Sequence, residues 1–279
     1  MSEYPSLEKT NWAATADRIT SEMRDYLAAY RTPVFEDLGT HCAGWGSGAY
    51  LRLGNSVFVL TNEHVAVARE QGRRLLHQLA GQEDWTRIGG DDAKLDFPFD
   101  LALMPVDTQA WNDSSNLSRA IEIDQIALAH APVSNELFAF TGFAGENARF
   151  YFDTMRYGGT CSVAREVALP SDDERFDGRY HFGLDYKPNL ATNVTPSGGL
   201  PMPPGLSGST VWNTGYVEAT MNGWQWTPEL ARVTGVLWGW PSNFGCIVAT
   251  RAEYLRSFLL DVAATFNTGT LTVPTNSPK

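Results

Sequence analysis

The hydrophobic pattern opens with a helical face. Trp12, Ala16, Ile19, Met23, Leu27 and Tyr30 recur at steps of three and four, the period that sets apolar side chains along one side of a helix. Thr32-Pro33 ends it, because proline disfavours helical backbone at the preceding residue. The expected role is a packing strut, with a docking helix for a partner as the alternative. From Cys42 the period shortens. Ala49-Tyr50-Leu51-Arg52-Leu53, Gly54-Asn55 and Val57-Phe58-Val59-Leu60 read as strand, tight turn and strand. Further strands are predicted at 75–79, 101–106, 137–141, 149–152, 161–167, 180–184, 210–212 and 233–238. Such short strands with turn signals between them predict a mainly β barrel or sandwich, and the lack of βαβ alternation argues against a doubly wound parallel sheet. A last helix is expected from Arg251 to Phe266. It would open on a Thr250/Glu253 capping box, present Tyr254, Leu255, Phe258, Leu259, Val262 and Phe266 as its apolar face, and end at Asn267-Thr268-Gly269. The Gly- and Pro-rich stretch 187–204 reads as a long loop, a place where function often sits.

Composition narrows the function classes. The chain has 279 residues, 43% hydrophobic and 19% charged, which is enough apolar side chain for one large or two small cores and too much for disorder. No apolar run approaches the ~20 residues of a membrane span. Lys plus Arg is 21 against 32 for Asp plus Glu, a net charge of −11. That balance repels phosphate, so nucleic acid and anionic membranes are not expected partners. Cys42, Cys161 and Cys246 are far apart and form no CxxC, which argues against structural zinc or a disulfide framework. With no secretory signal read at the start, a cytoplasmic location is expected.

Three patches could carry chemistry. A buried strand, Val59-Leu60-Thr61, is followed by Asn62-Glu63-His64-Val65. Asp100 opens the apolar run Leu101-Ala102-Leu103, with Asp96 as its nearby rival. Ser207 lies in Gly205-Leu206-Ser207-Gly208-Ser209, directly before a strand. A serine nucleophile needs a base for its proton, an anion to orient that base, and backbone donors for the oxyanion. Ser207, His64 and Asp100 supply the first three groups, and the N–H groups of Gly205 and Ser207 the donors. All five histidines precede Ser207, which excludes the α/β-hydrolase order and leaves the order His, Asp, Ser. His41, His77, His130 and His181 read as structural or solvent-facing.

With these patches in this order, the chain resembles the trypsin-like (chymotrypsin-fold) serine peptidases, particularly their bacterial cytoplasmic and HtrA-like branches. Gly46-Ser47-Gly48, Leu60-Thr61-Asn62-Glu63-His64-Val65, Asp100-Leu101-Ala102-Leu103 and Gly205-Leu206-Ser207-Gly208-Ser209 carry the resemblance, which runs from about Cys42 to about Phe266. It implies a double antiparallel β-barrel with the site in the cleft between the barrels. Residues 1–38 would be an N-terminal helical extension, 39–125 the first barrel, 126–250 the second and 251–279 a C-terminal helix and tail. It implies hydrolysis of a peptide bond through an acyl-enzyme, with a protein or peptide as substrate and no metal or cofactor. Gly235-Val236-Leu237-Trp238-Gly239 resembles the strand that pairs with substrate, which assigns Leu237, Trp238 and Gly239 to substrate binding, together with Pro201 and Met202. Pro201 stands six before the nucleophile, where trypsin has an aspartate, so small or apolar side chains are expected in the primary pocket. Leu206 replaces the aspartate that captures a new N-terminus in trypsins, which removes that route of activation. A regulatory partner acting through the Trp12–Tyr30 helix is the expected alternative means of control. The rival readings are a catalytically silent double barrel acting as a peptide-binding or scaffold module, and an unrelated β-rich sandwich.

Overall fold

The computed structural model describes residues 9–145, 148–151, 154–157, 159–188 and 200–267. Helix α1 (Lys9–Leu27) leads into β1 (Arg31–Asp37), β2 (Cys42–Leu53) and β3 (Ser56–Thr61). Helix α2 (Glu63–Ala66) follows, then β4 (Leu75–His77), β5 (Thr86–Arg87), β6 (Ala93–Leu95) and β7 (Leu101–Pro105). These seven strands form one sheet in the order β5-β4-β1-β2-β3-β7-β6. After α3 (Thr108–Trp111), a second unit holds β8 (Leu137–Gly142), a two-stranded ribbon of β9 (Ala148–Tyr151) and β10 (Thr154–Tyr157), β11 (Thr160–Val167), β12 (His181–Asp185) and β13 (Thr210–Asn213). Helix α4 (Tyr216–Met221), β14 (Arg232–Gly239), β15 (Cys246–Arg251) and α5 (Ala252–Asn267) complete the chain. Strands β11-β12-β15-β14-β13-β8 close into a barrel. The seven-stranded sheet of the first unit, with β5 and β6 at its ends, is the other half of the expected double-barrel fold.

The strand sequences are continuous apolar runs because both faces are buried. Along β3, Phe58 and Leu60 enter the core between the two units, while Val57 and Val59 fill the interior of the first sheet. Along β8, Leu137 and Ala139 face the shared core and Phe138 and Phe140 fill the barrel. This is the two-residue period of a strand with no solvated side. The linker stitches the units together as well, with Ile121 bonded to Tyr50 and Arg52 and Ala127 to Val233.

Residues 31–37, assigned by the sequence to the helical extension, are a strand of the first sheet. Pro33 is tolerated because the Thr32 hydroxyl stands in for the ladder, accepting from Gln78 N at 3.1 Å and donating to its carbonyl at 3.1 Å. The capping box also differs: the Thr250 hydroxyl donates to the Phe99 carbonyl, and Glu253 accepts from His130 N and from Arg251. The end of α5 past residue 267 and most of the 187–204 loop lie outside the described residues. The three cysteines are free, and no helix among the described residues is long and apolar enough to cross a membrane.

Helix α1 is held by the chain's own core. Ile19, Met23 and Leu27 are fully buried in the cluster that contains Trp212, and Tyr26 and Tyr30 pack on the Trp212 ring at 6.3 and 5.7 Å. Met23→Ala is therefore expected to cost about 2–5 kcal/mol in urea unfolding. A change within about 0.5 kcal/mol, as for an exposed helix position, would contradict the strut.

Candidate active site

Local chain geometry explains how His64 and Asp100 meet. β3 ends at Thr61, and Asn62 in extended conformation caps the start of α2, so His64 sits in the first turn, its side chain half exposed. Asp100 precedes β7 in the left-handed region, φ 49°, a conformation that aspartate tolerates better than most residues. Three successive carbonyls of its turn are each met by a side-chain donor from elsewhere. His181 Nε2 donates to Pro98 O at 2.7 Å, Thr250 Oγ1 to Phe99 O at 2.7 Å, and Asn62 Nδ2 to Asp100 O at 2.8 Å. His181 and Thr250 stand in β12 and β15, so the barrel of the second unit holds a turn of the first. Burial pulls the His181 pKa down, against the opposing pull of the Pro98 carbonyl, which favours the neutral ring that this geometry uses. Its Nδ1 then accepts from Asp177 N.

The Asp100 carboxylate grips His64 twice. Oδ2 lies 2.6 Å from the His64 Nδ1, and Oδ1 accepts from the His64 backbone N–H at 3.0 Å. An ionised carboxylate only accepts, so Nδ1 carries the proton and Nε2 keeps a free lone pair. Asp96 is exposed and contributes only its carbonyl, which closes the turn under Phe99 and Asp100.

Ser207 comes from a different turn. Leu206 N donates to Pro203 O at 2.8 Å, and Gly205 has φ +96°. With Pro204 at the second position and a positive φ at the third, this is a type II turn. A side chain at 205 would also put its Cβ 2.7 Å from the Phe143 carbonyl. Every carbonyl from Pro203 to Ser207 has a donor: Leu206 N, Gly145 N, Ser47 Oγ, Ser209 N and Ser47 N in turn. A trans peptide points its N–H away from its carbonyl. Fixing Pro204 O and Leu206 O therefore turns the N–H groups of Gly205 and Ser207 the other way, and neither finds an acceptor among the described residues. These are the donors expected of an oxyanion hole.

Gly46 links the two halves. A Cβ there would lie 3.0 Å from Val65, the residue after His64, and 3.4 Å from the Ser207 carbonyl. The structure thus joins His64 to Asp100 directly and brings the Ser207 turn against the same short stretch of β2. The Ser207 hydroxyl itself makes no hydrogen bond among the described residues; hydrogen bonds of this kind often tighten only with substrate bound.

Beside Ser207 lies a cavity of about 100 Å³, walled by Pro203, Pro204, Leu206, Trp238, Trp240 and Ile247 along with Leu237 and Gly239. Gly208 N bonds the Leu237 carbonyl and Leu237 N the Ser209 carbonyl, which docks β14 on the nucleophile turn. A bulge between Leu237 and Gly239 sets Trp238 out of the β15 ladder. Pro201 and Met202, expected in this wall, are not part of it; the Pro201 carbonyl accepts from Tyr186 OH at 2.5 Å instead. Trp240, which the sequence leaves open as core or cleft wall, is in the wall, while Leu206 and Ile247 were not foreseen there. No cluster of three or more His, Cys, Asp or Glu side chains suited to a metal occurs among the described residues.

No sequence-family model matches the chain, and neither does any curated protein. Its fold, however, has many solved relatives. An inactivated protease paralogue of the scabies mite matches with TM-score 0.53 and 13% identity, over 87% of this chain and 97% of that one. A mutant of human heparin binding protein matches with TM-score 0.51 and 12% identity, over 90% and 95%. The serine protease domain of the Sesbania mosaic virus polyprotein gives 0.48 and 13%, over 83% and 92%. The chain has the trypsin-like double-β fold; these neighbours choose no branch within it.

The turn that carries Asp100 generates a direct test. Thr250→Val keeps the shape and removes the donor to a partly buried carbonyl, so a loss of about 1–3 kcal/mol is expected in urea unfolding. No measurable loss would mean that the second unit does not hold this turn.

Proposed function

We propose that the protein is a serine endopeptidase that cleaves peptide bonds through an acyl-enzyme. The observation that carries the reading is the pairing of His64 Nδ1 with Asp100 beside a serine turn whose Gly205 and Ser207 N–H groups lack acceptors among the described residues. Ser207 Oγ attacks the carbonyl while His64 Nε2 takes its proton. Asp100 stabilises the imidazolium without itself being protonated. The developing oxyanion accepts from the two free N–H groups. His64 then returns the proton to the leaving amine, and water repeats the sequence on the ester.

The cavity beside Ser207 supports a preference for small apolar side chains before the cleaved bond. It has no charged wall residue, and at about 100 Å³ it is smaller than the roughly 150 Å³ apolar cavity that takes a benzene ring. Valine or alanine is expected there, with kcat/KM at least ~10-fold above that for phenylalanine or arginine in a peptide-library profile. A preference for arginine would contradict the pocket. A regulatory partner at α1 would engage its polar face, since Ile19, Met23 and Leu27 are buried.

The second reading, a silent double barrel that binds peptides, is favoured by the unbonded Ser207 hydroxyl. A fluorophosphonate separates the two. The wild type is expected to be labelled, Ser207→Ala not at all, and Asp100→Asn to react ~10⁴-fold more slowly, because the wrong tautomer of His64 would face Ser207. An unlabelled wild type would leave the silent reading.

A further inference from the structure

We propose that Ser47 is a positioning residue that holds the oxyanion-hole turn from the first sheet; the inference rests on the reading of Ser207 as nucleophile. Ser47 is fully buried in β2, opposite Pro33 of β1 and two residues before the β2–β3 ladder begins at Ala49. Its N–H, carbonyl and hydroxyl all bond groups outside these two ladders. Its N–H donates to Ser207 O at 2.7 Å, and its hydroxyl to Gly205 O at 2.7 Å. The same hydroxyl accepts from Phe143 N at 2.7 Å, while its carbonyl accepts from the Thr61 hydroxyl at 2.7 Å.

The direction of this small network is forced. The Phe143 N–H can only donate, so it takes a lone pair of the Ser47 oxygen, and the single Ser47 proton goes to the Gly205 carbonyl. The Gly205–Leu206 peptide is then held on both sides, by Ser47 at its carbonyl and by Pro203 at its N–H. The next strut, Ser47 N to Ser207 O, fixes the far end of the turn. One residue of the first unit thus sets two points of a turn in the second, the carbonyls of Gly205 and Ser207, the two residues whose N–H groups the proposed oxyanion hole uses. The site leaves little room for a substitute arrangement. A Cβ on Gly142 would come within 2.8 Å of the Ser47 oxygen, and one on Gly208 would strike the Ser47 carbonyl.

Ser47 touches neither substrate nor the reacting atoms, so its loss should weaken the transition state and spare ground-state binding. The experiment compares the wild type with Ser47→Ala and Ser47→Cys. It uses fluorophosphonate labelling and hydrolysis of an N-acyl peptide p-nitroanilide ending in valine, with folding checked by circular dichroism melting. Ser47→Ala is expected to lower kcat and the labelling rate ~10- to 100-fold, with KM within about twofold and an unchanged acid limb of the pH profile. Ser47→Cys, whose thiol is a weaker donor, should fall between. A wild-type rate in either folded variant, or a fall in kcat/KM carried by KM alone, would overturn the positioning role while leaving the peptidase reading intact. A wild type that takes no label at Ser207 would overturn both.

Discussion

The structure depends on how five consecutive carbonyls are satisfied. From Pro203 to Ser207 each has a donor, and two of those donors belong to Ser47, across the boundary between the units. A buried carbonyl without a partner costs about 1–3 kcal/mol, so the turn has few alternatives that keep all five paired. Because each trans peptide opposes its N–H to its carbonyl, satisfying the acceptors on one side exposes Gly205 and Ser207 donors on the other. The unsatisfied donors are thus a consequence of complete pairing elsewhere. On the proposed reading, that is the form of preorganisation that stabilises developing charge without reorganisation during the reaction.

The same logic of mutual holding places the base. Asp100 would be poorly fixed by its own strand, since it lies in a left-handed conformation at the strand's start. Its turn is fixed by His181 and Thr250 of the second unit and by Asn62 of the first. The Ser207 turn of the second unit is in turn fixed by Ser47 of the first. Each unit therefore positions the other's chemistry, and the shared core beneath them, built on Leu60, Leu103, Leu137 and Trp212, keeps the two in register. The fold alone does not decide activity, which is why the proposed function is argued from these few groups.

Much of this was legible in the chain because local patterns coincide with it. Continuous apolar runs marked β3, β7 and β8, and the i, i+4 recurrence of Ile19, Met23 and Leu27 marked α1. The short patches around His64, Asp100 and Ser207 indicated which groups could meet. What escaped had no local signature. β1 hides behind Pro33, whose missing N–H is replaced by a threonine hydroxyl that bonds a residue 46 positions away. Thr250 and Glu253 have the spacing of a capping box, but each has a more distant partner, the Phe99 carbonyl and the His130 N–H. Ser47 looked like part of a glycine-rich strand entry, and its role depends on Thr61, Phe143 and the Gly205–Ser207 turn arriving from three other segments. Leu206 and Ile247 of the pocket wall escaped, and Pro201 and Met202 are absent from it, because a bulge in β14 and the closing strand β15 shape it.

The most direct test of the central claim is a crystal structure of the phosphonylated protein. The account predicts a phosphorus bonded to Ser207 Oγ, with its phosphoryl oxygen about 2.7–3.1 Å from both the Gly205 and the Ser207 nitrogen and the turn unchanged. A phosphoryl oxygen turned to solvent, or a Gly205 N–H rotated away from it, would contradict the account.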